Sequence, residues 1–111
     1  MKVIYIDDSP EDREILAREL PPPEYELVTA ASIDEAKEKI KRNGHEAIVT
    51  DCKMPGYSGA EAVLELDRFY GIPIIALTGA MSDDAISELK AAGAFDVVFK
   101  TGEFVRVLKR A

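Results

Sequence analysis

The chain has 111 residues, of which 47% are hydrophobic, enough to bury a core without disulfides or metal staples. One domain, residues 1–111, is expected. The 21 acidic and 14 basic residues give a formal charge of -7, which disfavours direct nucleic-acid binding because that requires clustered Lys and Arg. A single cysteine excludes an intramolecular disulfide, and the apolar runs are far shorter than the roughly 20 residues of a membrane span. These features predict a cytoplasmic protein with no membrane insertion.

The first half of the chain alternates between short apolar runs and amphipathic segments. Residues 3–6 are continuously apolar, which predicts a central parallel strand covered on both faces. Ser9 and Pro10 predict the start of a helix that runs to about residue 20, where three prolines end it. Residues 25–30 predict a second strand. Ser32 with Glu35 forms a capping-box pattern, which predicts a second helix that closes at residues 43–44.

The second half continues the same alternation. Residues 47–51 predict a third strand, and a Pro- and Gly-containing loop separates it from a helix over about residues 60–70. Residues 72–77 predict a fourth strand, with Pro73 tolerated near its beginning. Ser82 predicts a fourth helix, residues 96–99 a fifth strand and residues 104–108 a short fifth helix. Five strands alternating with five helices predict a doubly wound α/β domain with a parallel sheet.

Polar side chains end four of the predicted strands: Asp7 and Asp8, Asp51, Thr78, and Lys100. All five should point into one crevice, because ligands of such sheets bind at the carboxyl ends of the strands. Three carboxylates this close would repel each other unless a cation joined them, and Mg²⁺ takes oxygen ligands. A lysine and a hydroxyl are what a phosphoryl group needs. Asp51 stands alone and is the predicted nucleophile, whereas the adjacent pair is better arranged to hold metal.

With these residues, and with Met54-Pro55 and Gly59 after Asp51, the whole sequence resembles the receiver domain of two-component response regulators. The resemblance implies a flavodoxin-like fold, with strand order 2-1-3-4-5 and five helices on the two faces of the sheet. It also implies that Asp51 accepts a phosphoryl group from a histidine kinase or a phosphotransfer protein.

The resemblance further implies the roles of the other site residues. The implied ligands of Mg²⁺ are three carboxylates and one carbonyl: Asp8 and Asp51 directly, Asp7 largely through water, and Lys53 through its backbone carbonyl. Thr78 would shift to bond a phosphoryl oxygen, and Lys100 would pair with that group.

Three positions depart from the usual pattern of the family. Val97 stands where an aromatic residue usually turns inward on activation, and Thr101 stands where a cis proline usually follows the lysine. Gly79 replaces the more common alanine after the threonine. The departures at Val97 and Thr101 motivate an alternative hypothesis, that the chain is a receiver-like interaction domain that no longer switches by phosphorylation.

The expected function is a stand-alone signalling switch that acts through contacts with an unknown downstream protein. It is not expected to be an enzyme with an external substrate, since its only catalysis would be its own phosphorylation and dephosphorylation. A phosphatase of the haloacid-dehalogenase type expects a second aspartate where Lys53 stands. A flavodoxin expects a hydroxyl- and glycine-rich loop after the first strand. Cys52 is interpreted as a small buried residue and His45 as a turn residue.

Overall fold

The computed structural model describes residues 2–19, 26–43, 45–52, 58–79 and 82–99. Within these ranges, five strands alternate with four helices. In chain order they are β1 (Lys2–Ile6), α1 (Pro10–Glu19), β2 (Glu26–Ala30), α2 (Ile33–Asn43), β3 (Ala47–Asp51), α3 (Gly59–Tyr70), β4 (Ile74–Thr78), α4 (Asp83–Ala91) and β5 (Asp96–Phe99). The fifth predicted helix, over residues 104–108, lies outside the described residues.

The five strands form one parallel sheet in the order β2-β1-β3-β4-β5, which confirms the predicted topology. In the central register, Ile48 of β3 lies opposite Ile4 of β1 on one side and Ile74 of β4 on the other. The carboxyl ends of β1, β3 and β4 therefore lie side by side at one edge of the sheet.

The apolar side chains of the sheet alternate between two buried clusters, as the two-residue period of a strand requires. One cluster packs against α2, α3 and α4, and the other packs against α1. On β1, Ile4 and Ile6 belong to the first cluster, whereas Val3 and Tyr5 belong to the second. Burial on both faces explains why the strands read as continuous apolar runs.

Hydroxyl and glycine residues set the ends of the helices, largely as predicted. Ser82 caps α4 by accepting a hydrogen bond from the backbone N–H of Ala85. Gly71 ends α3 with φ of 60°, a left-handed conformation that favours glycine. In α2, Ser32 accepts the expected bond from the N–H of Glu35, but the Glu35 carboxylate accepts from Ala31 rather than from Ser32.

The fourth strand begins at Ile74, two residues later than predicted, and it extends to Thr78. Pro73 lies before the strand rather than inside it, because proline has no N–H to give to the ladder. Its carbonyl is still used, since it accepts a hydrogen bond of 2.9 Å from the N–H of Ile48. The shift makes Thr78 the last residue of the strand.

No helix in the described part of the chain combines the length and the apolar character needed to cross a membrane.

Candidate functional site

Three of the predicted acids meet at the carboxyl edge of the sheet. Asp7 and Asp8 follow β1, and Asp51 is the last residue of the neighbouring β3. One carboxylate oxygen from each of the three lies within 4.8 Å of the others. Asp7 is fully buried, Asp51 is 6% exposed and Asp8 is exposed. The group therefore offers hard oxygen donors that are reachable from solvent on the Asp8 side, a donor set suited to Mg²⁺.

Backbone hydrogen bonds fix the chain where it leaves β1 and β3. The N–H of Asp7 donates to the carbonyl of Ala30 at 3.0 Å, so the pairing of β1 with β2 continues past the end of the strand. The N–H of Cys52 donates to the carbonyl of Leu77 at 2.9 Å, which does the same for β3 and β4. The carboxylates are thus held by the sheet itself rather than by loops alone.

The carboxylate of Asp7 accepts hydrogen bonds at both of its oxygens. The hydroxyl of Tyr5 donates to Oδ2, and the backbone N–H of Ser9 donates to Oδ1 at 2.9 Å. The carbonyl of Asp7 in turn accepts from Nη1 of Arg13 at 2.7 Å. None of these three contacts follows from the motif alone. The strand period does contain a signal for the first, because residues two apart on a strand share a face.

The phenol of Tyr5 is fully buried beneath the acids. Burial raises its pKa above the ordinary value, and so do the hydrogen bond to Asp7 and the charges of Asp7, Asp12 and Asp51. The hydroxyl therefore remains protonated at neutral pH and serves as a donor toward Asp7.

Thr78 lies at the same edge, as the last residue of β4 and only 6% exposed. Its partner in the register is Phe99, the last residue of β5. The predicted site residues Lys53 and Lys100 lie outside the described residues, as do Met54-Pro55 and Thr101. The structure therefore places four of the predicted site residues at one edge: Asp7, Asp8, Asp51 and Thr78.

The residue after Asp51 is a cysteine whose thiol is expected to be unreactive at neutral pH. Cys52 is half-buried, and burial raises its pKa to about 11, with a further contribution from the charge of Asp51. Thiolate is the reactive form of cysteine, so this side chain is a poor nucleophile at neutral pH.

Two of the unusual positions have distinct surroundings. Val97 of β5 is half-buried and packs against the cluster on the α2, α3 and α4 face. Gly79 follows β4 and is exposed, and a Cβ atom built there would meet no atom of the described residues within 4 Å. With respect to the described residues, the position after Thr78 therefore has room for a side chain, although it is occupied by glycine.

A family model described as the response regulator receiver domain matches residues 3–111. Hybrid signal transduction histidine kinase D of Dictyostelium discoideum is 37% identical over 101 residues, which cover 88% of this chain. This chain spans only 6% of the length of that kinase, and it spans 26% and 24% of two further curated relatives.

Two solved structures are similar to this chain in both fold and sequence. Chemotaxis response regulator CheY4 of Vibrio cholerae has a TM-score of 0.84 at 32% identity, covering 98% of this chain and 96% of that one. Response regulator protein TrrA of Thermotoga maritima, solved in complex with Mg(2+)-BeF, has a TM-score of 0.80 at 30% identity. That match covers 98% of this chain and 94% of the other.

Proposed function

The chain belongs to the response regulator receiver domain family, and on this premise we propose that it is a signalling switch phosphorylated on Asp51. The observation that carries the proposal is the convergence of Asp7, Asp8 and Asp51 within 4.8 Å at the carboxyl edge of the sheet. The donor of the phosphoryl group is the phosphohistidine of a histidine kinase or of a phosphotransfer protein.

Mg²⁺ is the proposed cofactor, because three carboxylates are the oxygen donors that this ion prefers. Asp8 and Asp51 would hold it directly, and the backbone carbonyl of Lys53 would add a further ligand. Asp7 acts largely through water, a role supported by the hydrogen bonds that occupy both of its oxygens. When bound, the ion neutralises charge on the phosphoryl oxygens.

Asp51 is the nucleophile. Its carboxylate oxygen forms a bond to phosphorus as the phosphorus–nitrogen bond of the phosphohistidine breaks and the electron pair returns to the imidazole. Thr78, the last residue of the neighbouring β4, donates its hydroxyl hydrogen to a phosphoryl oxygen in this proposal. Lys100 supplies a positive charge to the same group. The product is an acyl phosphate on Asp51 and a free histidine on the donor protein.

Another protein recognises the phosphorylated state; the domain does not act on an external substrate. Phosphorylation replaces the single negative charge of the Asp51 carboxylate by the nearly two charges of a phosphoryl group and adds several acceptor oxygens, which is enough to reorganise the loops that contact it. Output therefore follows from protein–protein contacts, and the only chemistry of the domain is its own phosphorylation and dephosphorylation.

Incubation with Mg²⁺ and acetyl phosphate tests the proposal by intact-mass measurement. We expect one added phosphoryl group on the wild-type chain and none on Asp51→Asn. The matched control is Asp34→Asn, which removes an exposed carboxylate from the first turn of α2 and should leave the adduct unchanged.

Two results would count against the proposal in different ways. An adduct that persists in Asp51→Asn would show that another residue is the acceptor. No adduct on the wild type, under conditions where another receiver domain reacts, would favour the receiver-like interaction domain that does not switch.

A further inference from the structure

A tyrosine lies beneath the acidic site, with its ring among apolar side chains and its hydroxyl hydrogen-bonded to one of the acids. Tyr5 is fully buried in the cluster that also contains Leu16, Val49 and Leu77. A phenol buried in such a place costs free energy unless its hydroxyl finds a partner. Its partner is Oδ2 of Asp7, two residues further along on the same face of the sheet.

The same bond serves the carboxylate. Asp7 is also fully buried, and a buried carboxylate needs donors to remain charged. Tyr5 supplies a donor to one oxygen from below, while the N–H of Ser9 supplies a donor to the other oxygen from the start of the next segment. A carboxylate held at both oxygens has little freedom to rotate, so its orientation toward Asp8 and Asp51 is fixed before any ion arrives.

We propose that Tyr5 is a positioning residue of the acidic site, whose hydroxyl holds the Asp7 carboxylate in the orientation from which it contributes to Mg²⁺ binding. The inference rests on the proposed function, because Mg²⁺ is the ion proposed there. Tyr5 does not touch the phosphoryl group. It acts through Asp7, in the way that groups hydrogen-bonded to metal ligands orient those ligands.

Tyr5→Phe is the informative substitution, because phenylalanine keeps the ring and removes only the hydroxyl. Asp7 then loses the donor at Oδ2 and can turn away from its position. We expect the dissociation constant for Mg²⁺ to rise roughly tenfold, at the lower end of the effect seen when such orienting groups are removed. The Mg²⁺ concentration that gives half-maximal phosphorylation should rise by the same factor, whereas the rate at saturating Mg²⁺ should stay within about twofold.

Calorimetric titration with Mg²⁺ measures the affinity without relying on phosphorylation. A second readout is the near-ultraviolet absorption of tyrosine, which Mg²⁺ should change in the wild type and should change less in Tyr5→Phe. Val98→Ala is the matched control, since Val98 belongs to the same apolar cluster and its side chain has no hydrogen-bond donor to offer a carboxylate. It should lower the free energy of unfolding and leave the Mg²⁺ affinity unchanged.

The outcomes separate this inference from the function on which it rests. If the wild type binds Mg²⁺ and gains a phosphoryl group while Tyr5→Phe binds Mg²⁺ equally well, the positioning role is wrong and the switch stands. Equal losses of affinity in Tyr5→Phe and Val98→Ala would mean that only stability matters, which also overturns the role of the hydroxyl. A wild type that neither binds Mg²⁺ nor gains a phosphoryl group contradicts the proposed function itself.

Discussion

His45 is a buried titratable residue at the edge of the sheet opposite the acids. It precedes β3, is 8% exposed, and neither ring nitrogen has a hydrogen-bond partner among the described residues. Burial lowers the pKa of the imidazole below its ordinary value of 6.5, and the charge of Lys2 lowers it further. Glu26 opposes the shift to a lesser extent. The folded protein therefore favours the neutral ring.

This burial predicts a pH dependence of stability. A histidine with a lowered pKa in the folded state binds fewer protons there than in the unfolded chain, so the free energy of unfolding decreases as the pH falls below 6.5. The decrease continues down to the lowered pKa of the folded state. Urea unfolding at pH 7 and pH 5 should show a smaller loss for His45→Leu than for the wild type. Equal losses in the two proteins would contradict the contribution of His45.

Single residues are where the sequence is least informative about this site. The acids are visible because they follow apolar runs, but the donors to Asp7 are not, since hydrogen-bond partners depend on side-chain placement rather than on residue type. His45 shows the same limit. It lies between Gly44 and Glu46, a pattern that indicates a turn, yet the ring is buried near Lys2 of β1 and Glu26 of β2.

At the scale of helices and strands, two glycines beside the site have opposite surroundings. A Cβ atom on Gly59, the first residue of α3, would lie 2.8 Å from Cβ of Cys52 and 3.3 Å from Cδ2 of Leu89. A Cβ atom on Gly79 would meet no atom within 4 Å in the part of the chain that the structure describes. Neither glycine has a positive φ, so space rather than backbone conformation separates the two positions.

The same substitution at the two positions should therefore change stability in opposite directions. Gly59→Ala should lower the free energy of unfolding by about 1–3 kcal/mol, because the added methyl group overpacks a contact between two elements. Gly79→Ala should raise it by about 0.4–1 kcal/mol, because alanine restricts the unfolded chain at no steric cost. Urea unfolding of both variants measures the difference. A Gly59→Ala protein as stable as the wild type would mean that the start of α3 can move aside.

Element types were predictable because most strand residues are apolar and each helix has a polar start. The first and last residues of the elements were less predictable. The apolar run at residues 72–77 suggested an earlier start for β4, but Pro73 cannot donate to the ladder and the strand begins after it. In α3 the start falls at Gly59, because Ser58 just before it forms a capping box with Glu61 of the first turn.

For the molecule as a whole, the main electrostatic feature is a net charge of -7 with three carboxylates crowded at one edge. Like charges this close destabilise the folded state, in which they are held together, more than the unfolded chain, in which they separate. A cation bound among them removes that repulsion. Binding to the folded state alone then adds to stability by mass action.

We expect Mg²⁺ to raise the free energy of unfolding by about 1.4 kcal/mol for each tenfold increase in free ion above its dissociation constant. Urea unfolding across a Mg²⁺ series measures this slope. NaCl at matched ionic strength is the control, because salt alone screens the net charge. Asp8→Asn should remove most of the Mg²⁺ effect, and Asp34→Asn should retain it. Equal stabilisation by NaCl and by Mg²⁺ would contradict a specific ion site.

The topology of the sheet could be predicted only in part from the residues. Alternation of strands and helices indicates a parallel sheet, because parallel strands need crossover connections. It does not say which strands are neighbours, since several of the strands, such as β1, β3 and β4, are apolar enough to lie in the centre. The strand order 2-1-3-4-5 was predicted from the resemblance to a known family, which rests on the acids, Thr78 and Lys100. The structure confirms this order.

Cys52 after β3, Gly59 at the start of α3 and Leu89 of α4 lie close together. A methyl group added at Gly59 would come too close to the side chains of the other two residues. These three positions therefore share one fixed space. As the sequence diverges over evolution, a larger residue at any one of them demands a smaller residue at another. Related proteins should consequently show correlated changes at these positions. A single replacement transferred from one relative into another should destabilise the recipient, whereas transfer of both matching replacements should not.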